Sequence, residues 1–495
     1  MTFLSPTDQG LGGSTSPSTP APERSSSASE SDRRPGVLFL IPTLEAGGAE
    51  RVCLHYVNGL TRFRPVLAVQ FRRGALLEEL CPGIPLEELC PRIRLHEIQR
   101  PAPIAAADER NYRRRRGPLR RRLATFVERR LGEGTTRFLQ ERERRWNALV
   151  RRARTALRPP VFNPGGRRRR FGGLPRLHLP FHFLFLLGQA RRVAALARET
   201  ECPIVSGFLP FTNGIALFAK VFFHRRLKVV VNVHSVKSRI LEGEPPRERF
   251  LIGFLIRRFY PKADRVVAVS EGIRRDLVES FGVPESKILV VHNPIDLDRI
   301  RRLSLEPVDH PWVSTPEKPL VVAAGRLVRL KGFDLLLRAF AGLRKSAGAR
   351  LWIVGDGEER ENLEGLVREL RLEERVALLG FRKNPWKYMR LADCLVLSSR
   401  VEGSPNVIGE ALALGLPVIA ADCSPGIGEY LGEGRYGVLV PPEDAPALAS
   451  GLDDLLADGD LRSRLAAGGA EQAERFALPR AVATYETLLE EVVRE

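Results

Sequence analysis

The chain has 495 residues, 43% of them hydrophobic, which is ordinary for a soluble protein and enough for two domains with full cores. Its six cysteines (Cys53, Cys81, Cys90, Cys202, Cys394, Cys423) form no CxxC pair or zinc spacing, which speaks against a disulfide scaffold or zinc module and for reduced thiols in the cytoplasm. The formal charge of +19 is concentrated: residues 103–176 hold 23 arginines, no lysine and six acids, +17 of the total, so this segment is expected to have a partner of its own.

Residues 1–35 are rich in Ser, Thr, Pro and Gly, lack the basic-then-apolar order of a signal peptide, and read as a disordered tail. Val37 to Ile41 is a continuous apolar run. It is followed by Pro-Thr-Leu-Glu-Ala-Gly-Gly and a periodic segment from Ala49 to Leu60, the order of strand, glycine turn and helix. Comparable strands are predicted at Val66–Val69, Ile204–Ser206, Val229–Val233, Val266–Val269 and Ile288–Val291, with helical segments between most of them. Such alternation implies a mostly parallel sheet covered by helices. The apolar run Leu179–Leu187 is too short to cross a bilayer, and the uncharged stretch Cys202–Ala219 is broken by prolines. A polar linker from about Arg301 to Lys318 precedes a second series, with strands at Leu320–Ala324, Leu351–Val354, Val376–Leu379, Cys394–Leu397, Pro417–Ala420 and Gly437–Val440. Its helices are predicted at about Phe333–Leu343, Glu358–Leu370, Pro385–Leu391, Pro405–Leu414 and Ala445–Leu456. The expected architecture is therefore α/β, two Rossmann-like doubly wound domains (36–300 and 301–476) facing across a cleft, with a last helix in 477–495 packing back toward the first domain.

Four signals fall at the carboxyl ends of strands in the second series. Gly325-Arg326 through Lys331-Gly332 follows the first strand, placing Arg326 and Lys331 where they can reach a diphosphate. Gly355-Asp356-Gly357 and Gly380-Phe381-Arg382 follow the next two strands. The run Arg400 to Gly415 then carries Glu402 on a loop and Glu410 on a helix. Ser404 is expected to be the helix N-cap and Pro405 its first residue. The amides of Asn406, Val407 and Ile408 would point out of the helix start, where an anion such as phosphate is favoured.

Ser399-Arg400-Val401-Glu402-Gly403-Ser404-Pro405-Asn406 through Glu410-Ala411-Leu412-Ala413-Leu414-Gly415-Leu416-Pro417-Val418 resembles the E-x7-E signature of glycosyltransferase family 4. Gly325-Arg326 to Lys331-Gly332, Val354-Gly355-Asp356-Gly357, His292-Asn293-Pro294-Ile295-Asp296 and the loop Gly47-Gly48-Ala49-Glu50-Arg51 are similar to further parts of that family. The resemblance covers about residues 36–100 and 180–495, and not the arginine segment. It implies the GT-B fold and transfer of a sugar from a nucleotide sugar with retention at the anomeric carbon. On that resemblance Arg326 and Lys331 would neutralise the leaving diphosphate, Glu402 would hold the donor sugar and His234 would lie near the reacting sugar. Gly48, Gly355, Phe381, Arg382, Asn406, Val407, Ile408 and Glu410 would line the donor site, Glu410 holding the ribose. Asp296-Leu297-Asp298 and Asp458-Gly459-Asp460 fall away from the donor-site strand ends, so neither a metal nor another cofactor is expected. No carboxylate nucleophile stands out in the first half, which makes front-side attack the expected route to retention.

The acceptor is expected on the first domain, where the arginine segment is inserted. Leu119, Leu123, Phe126, Leu131 and Phe138 punctuate its arginines as in basic amphipathic helices, which favours an anionic membrane surface over nucleic acid and suits a lipid-linked or cell-surface glycan acceptor. The expected location is the cytoplasm, peripheral on the inner face of the cell membrane. A nucleotide-sugar epimerase or phosphorylase of the same fold, or a non-catalytic protein binding membrane or nucleic acid, stays open as an alternative.

Overall fold

The computed structural model describes residues 34–45, 47–72, 74–82, 84–89, 178–314 and 317–495. The tail expected over residues 1–35, save its last two, and the arginine segment 103–176 lie outside them. Residues Pro35–Glu495 form one compact unit holding two parallel sheets.

The first sheet has seven strands in the order β3-β2-β1-β4-β5-β6-β7. They are β1 (Gly36–Ile41), β2 (Arg64–Val69), β3 (Leu86–Glu88), β4 (Ile204–Phe208), β5 (Lys228–Val233), β6 (Arg265–Ala268) and β7 (Ile288–Val290). Helices α1 (Gly48–Gly59), α2 (His178–Glu199), α3 (Pro210–Phe218), α4 (Lys237–Glu242), α5 (Pro246–Phe259) and α6 (Glu271–Phe281) connect them. The second sheet has six strands in the order β10-β9-β8-β11-β12-β13. Here β8 is Leu320–Ala324, β9 Arg350–Val354, β10 Val376–Gly380, β11 Cys394–Leu397, β12 Val418–Ala421 and β13 Val438–Val440. Its helices are α7 (Leu297–Ser304), α8 (Phe333–Ala341), α9 (Arg360–Glu369), α10 (Trp386–Met389), α11 (Asn406–Ala413), α12 (Pro425–Leu431), α13 (Ala445–Ala457) and α14 (Gly459–Ala473).

Successive side chains of a strand face opposite sides of its sheet, and both sides here are covered. Leu38 and Leu40 of β1 join one core while Val37, Phe39 and Ile41 join another. In β8 the same split separates Val321 and Ala323 from Leu320 and Val322. Burial on both faces is why these strands read as unbroken apolar runs. The strand order reverses between β1 and β4 and between β8 and β11, and ligands of doubly wound sheets bind outside the carboxyl ends at such points. The start of α1 at Gly48 and the turns carrying Lys331 and Glu402 lie there.

A last helix, α15 (Leu478–Arg494), returns to the first sheet. Tyr485 stacks on Tyr56 with ring centroids 4.2 Å apart, and its hydroxyl lies 2.6 Å from Ser206 Oγ. Glu486 accepts from the backbone amides of Thr61 and Arg62, both at 2.6 Å, and from Arg62 Nε at 2.9 Å. Burial alone would raise this carboxyl, but those donors hold it below its ordinary value.

Three elements depart from expectation. β3 holds two glutamates in three residues and shows no apolar run. α7, capped by Asp296 accepting from Arg299 N at 3.1 Å, occupies the start of the segment that composition marks as linker. Finally, α11 starts at Asn406 with Pro405 as its cap, not at Pro405 with Ser404 capping, and no side chain caps it.

Candidate active site

Lys331 and Glu402 meet at the β8/β11 switch point. The loop carrying Lys331 is tied to the end of β11 by Ser398 Oγ donating to Lys331 O at 3.1 Å and by Arg400 N donating to Leu330 O at 2.8 Å. Arg400 itself is held by a two-pronged pair with Asp334, both contacts 2.8 Å. On this frame Lys331 Nζ lies 2.5 Å from Glu402 Oε1, which also accepts from Ser399 Oγ at 2.6 Å. The Arg326 side chain remains exposed, with no hydrogen bond or ion pair among the described residues, while its carbonyl accepts from Val328 N at 2.8 Å. Burial raises the Glu50 carboxyl on the first domain, and a backbone hydrogen bond and then the Arg326 charge temper the rise.

The loop after Glu402 is pressed against the first domain. A Cβ on Gly403 would lie 2.2 Å from His234 O, so only glycine permits this approach. Asn293 spans the same gap: its Nδ2 donates to Ser404 O at 3.0 Å and to Asn406 Oδ1 at 2.7 Å. These bonds fix the start of α11 in place of the predicted Ser404 cap. Ile408 N donates to Pro405 O at 3.1 Å, so its amide is not open to an anion as expected; Asn406 and Val407 are the amides that open the helix. Gly48, first residue of α1, looks onto this helix start, since a Cβ there would lie 3.7 Å from Asn406 Nδ2.

Glu410 sits one turn further along α11, in a narrow crevice lined by Arg51, His55, Asp296, Trp386 and Asn406 among others. Burial raises its carboxyl and Arg51 opposes the rise. His55 is pushed down to about 4, chiefly by burial and then by Arg51, so it is neutral at physiological pH. The guanidinia of Arg51 and Arg299 lie 5.7 and 5.8 Å from the Trp386 ring centre.

Around the Glu402–Asn406 loop several buried polar atoms make no hydrogen bond: both ring nitrogens of His234, Asn293 Oδ1, Ser424 Oγ and Tyr430 OH. His234 stacks on Phe208 with centroids 5.5 Å apart and is pushed down to about 3 by burial and then by Lys237, so its imidazole is neutral. Buried polar groups are ordinarily satisfied, so a cluster of orphans marks a place for a polyhydroxy ligand or ordered water. Glu429, from α12, also reaches across: its Oε1 accepts from Glu271 N at 2.8 Å and Gly272 N at 3.4 Å, the start of α6.

Not every expected residue joins this cluster. Gly355 answers to the fold: its φ is 150°, and a Cβ would lie 1.8 Å from Gly325 O. Phe381 and Arg382 are exposed beyond the end of β10 and share in none of these bonds. Both Asp-x-Asp tripeptides begin with a helix cap, since Asp458 accepts from Leu461 N at 2.8 Å as Asp296 does from Arg299. Among the described residues no group of three or more His, Cys, Asp or Glu side chains is arranged to hold a metal. Sequence reasoning assigned no role to Glu50, Arg51, Asn293, Trp386 or Glu429. The first three lay inside quoted motifs, whereas Trp386 and Glu429 had no local signal.

Two facing Rossmann-like domains with a basic and acidic cluster at the switch point define a GT-B glycosyltransferase. Residues 309–472 match Glycosyl transferases group 1 and residues 142–299 match Glycosyltransferase Family 4. The chain is 33% identical over 280 residues to the Campylobacter jejuni N-acetylgalactosamine-N,N'-diacetylbacillosaminyl-diphospho-undecaprenol 4-alpha-N-acetylgalactosaminyltransferase, covering 57% of this chain and 74% of that protein. It is 38% identical over 165 residues to the Rhizobium meliloti lipopolysaccharide core biosynthesis glycosyltransferase LpsE, covering 33% of this chain and 47% of that one. The crystal structure of Anabaena HepE in complex with UDP superposes with a TM-score of 0.62 at 19% identity, over 92% of this chain and all of that one, a likeness of fold. The chain belongs to glycosyltransferase family 4.

Proposed function

We propose that the protein transfers a hexosyl or N-acetylhexosaminyl group from a uridine diphosphate sugar, with retention, to a lipid-linked or cell-surface glycan. The observation that carries this reading is the Lys331–Glu402 pair set beside the open start of α11 and ringed by orphaned polar atoms of both domains. Departure of a nucleoside diphosphate builds negative charge on phosphate and positive charge on the sugar, and fixed donors placed at the former lower that barrier. Lys331, Arg326 and the Asn406 and Val407 amides take the leaving diphosphate. Glu402 and the unpartnered Ser424, Asn293 and His234 atoms receive sugar hydroxyls. Glu410 holds the ribose, and the exposed ring of Phe381 is available to a base. With cations and helix amides at the phosphates, no metal is needed for this role. Neutral His234 offers a hydrogen bond near the reacting carbon, and front-side attack lets the leaving phosphate take the acceptor's proton.

The acceptor side is expected on the first domain, with the arginine segment 103–176 holding the enzyme to the inner face of a membrane. Among the described residues no helix is long and apolar enough to cross one. The Campylobacter relative's name specifies a diphospho-undecaprenol acceptor, which supports a lipid-linked substrate here.

The test is thermal shift and donor hydrolysis against a panel of nucleotide sugars, without metal and then with chelator. A chelator-insensitive shift for one donor, lost in Glu410→Ala, is the expected result; no shift for any donor would refute the reading.

A further inference from the structure

The first sheet carries, just past His234, an excursion that none of the groups above uses. Between β5 and β6 the chain folds α4 and α5, and α5 packs on α3, α4 and α6. Its inner side is buried through Ile256 and Tyr260 follows it into the core. Its outer side is not covered: Phe250 is 73% exposed and Phe254, one turn on, 49% exposed, their rings stacked with centroids 6.4 Å apart. Ile240 on α4 is 39% exposed. Two neighbouring phenyl rings turned to water on a helix lose the burial that such side chains ordinarily gain, and contiguous exposed apolar surface of this kind marks an interaction site.

The charge around the rings decides between occupants. Arg249, Arg257 and Arg258 are exposed on the same helix, whose sequence Pro-Arg-Glu-Arg-Phe-Leu-Ile-Gly-Phe-Leu-Ile-Arg-Arg-Phe has four arginines and one glutamate. Arg249 Nε donates to Leu241 O at 2.9 Å and Arg257 Nη2 to Ser280 O at 3.0 Å, so two of these cations are held on the helix's flanks by neighbouring elements. A second copy of the chain meeting this face by two-fold symmetry would set arginine against arginine. An anionic bilayer instead offers phosphates to the arginines and an acyl boundary to the rings, the pattern of a helix lying in the interface.

We propose that the α4–α5 excursion is an interfacial membrane anchor, with Phe250 and Phe254 inserted at the headgroup–acyl boundary of an anionic bilayer and Arg249, Arg257 and Arg258 on lipid phosphates. The inference rests on the lipid-linked acceptor named under Proposed function and adds to it a folded contact separate from the arginine segment. The excursion leaves the sheet beside His234, so contact there brings the mouth of the cleft to the membrane surface, where a lipid-linked acceptor presents its sugar.

The test is sedimentation of the full-length protein with phosphatidylglycerol/phosphatidylethanolamine vesicles and with phosphatidylcholine vesicles. Wild type, Phe250→Ser/Phe254→Ser and Phe250→Trp/Phe254→Trp are compared at matched melting temperature. The expected result is binding to the anionic vesicles that weakens about tenfold or more in the serine variant and persists in the tryptophan variant. A serine variant that sediments as wild type does, or a wild type that ignores both vesicles, overturns the anchor. So does a wild-type dimer in analytical ultracentrifugation that the serine variant abolishes, which would assign the patch to a second copy. Donor thermal shift in the same samples keeps the two readings apart. A serine variant that loses vesicles but keeps its donor shift supports the anchor, and a wild type with vesicle binding but no donor shift refutes the transferase reading alone.

Discussion

The two walls of the cleft share unpartnered neutral groups, Ser424 and Tyr430 on the second domain as well as His234 and Asn293 on the first, but differ in the buried charge they hold. On the second domain the charge around Glu402 is already paired: Lys331 lies 2.5 Å from Glu402, Ser399 donates to the same oxygen, and Arg400 is locked to Asp334, while Arg326 stays exposed. On the first domain hydrogen-bonding capacity stands idle, in both ring nitrogens of His234 and in Asn293 Oδ1, and the imidazole there is neutral. If the second wall takes the donor diphosphate, as proposed, holding Lys331 beside Glu402 spares that partly buried site an unpaired charge, which is costly. If the first wall takes neutral sugar hydroxyls, as proposed, it can leave neutral donors and acceptors open at a smaller cost.

The strongest way to break this comparison is to remove the paired cation. Lys331→Ala leaves Glu402 without its counter-ion and, on the proposed reading, strips charge from the leaving-group site, so kcat/KM for transfer should fall by about 10²- to 10³-fold, with folding retained. A steady-state assay giving activity within about tenfold of wild type would show that Lys331 does not stabilise the departing phosphate. Next in size is Glu410→Ala, which on the proposed reading removes charge-assisted hydrogen bonds to ribose. Donor affinity in calorimetry should weaken by about 10- to 100-fold while kcat at saturating donor changes little. A large loss of kcat with unchanged affinity would move Glu410 from binding to chemistry.

How these groups were legible differs between the walls for the same physical reason. Lys331, Glu402 and Glu410 lie within one domain, next to strands whose burial on both faces makes them continuous apolar runs, so their place at a carboxyl edge follows from local order. Cys394–Leu397 is recovered residue for residue. The start of α11 was misplaced because a serine followed by proline is a sound local cap signal, yet Asn293, more than a hundred residues earlier, takes Ser404 O and Asn406 Oδ1 and sets the helix start instead. Glu429 was missed because its partners, the amides of Glu271 and Gly272, belong to a helix of the other domain. Contacts across the cleft leave no periodicity in the sequence. β3 escaped for a different reason: an edge strand of three residues needs no apolar run.

Glu429 sharpens the comparison through pH. Burial first, then the nearby Glu271 charge, push its carboxyl up to about 7 despite the two backbone donors. Between its ordinary value of 4.5 and about 7 the folded protein keeps a proton that the unfolded chain releases, so this site's contribution to stability falls as pH rises through that window and is lost above it. His292 Nδ1, 3.5 Å from Glu429 Oε2, is pushed below its ordinary value by burial, so it offers no cation to offset the charge near neutrality. Glu429→Gln keeps an acceptor for the α6 amides without the titration. Its stability relative to wild type should rise with pH from about 4.5 and level off near 7, by about 1 to 3 kcal/mol in melting curves. Parallel pH profiles for the two proteins would show that the contact between α12 and α6 carries no buried charge.

Gly48→Ala should have the smallest effect and the most direct bearing on how the walls meet. Gly48 has no left-handed backbone, so alanine fits without strain, and inside a helix it is worth up to about 1 kcal/mol over glycine, less in the first turn. Its methyl would lie 3.7 Å from Asn406 Nδ2, an ordinary contact, so the folded protein has room for it and the melting temperature should stay level or rise slightly. That space lies between the starts of α1 and α11. If the donor phosphates lie there, the methyl takes part of their room and donor affinity drops about fivefold, with Gly48→Val weaker again. Unchanged affinity in Gly48→Ala and Gly48→Val alike would mean that the phosphates are held by the second domain alone, and that the first domain contributes to the sugar and the acceptor but not to the leaving group.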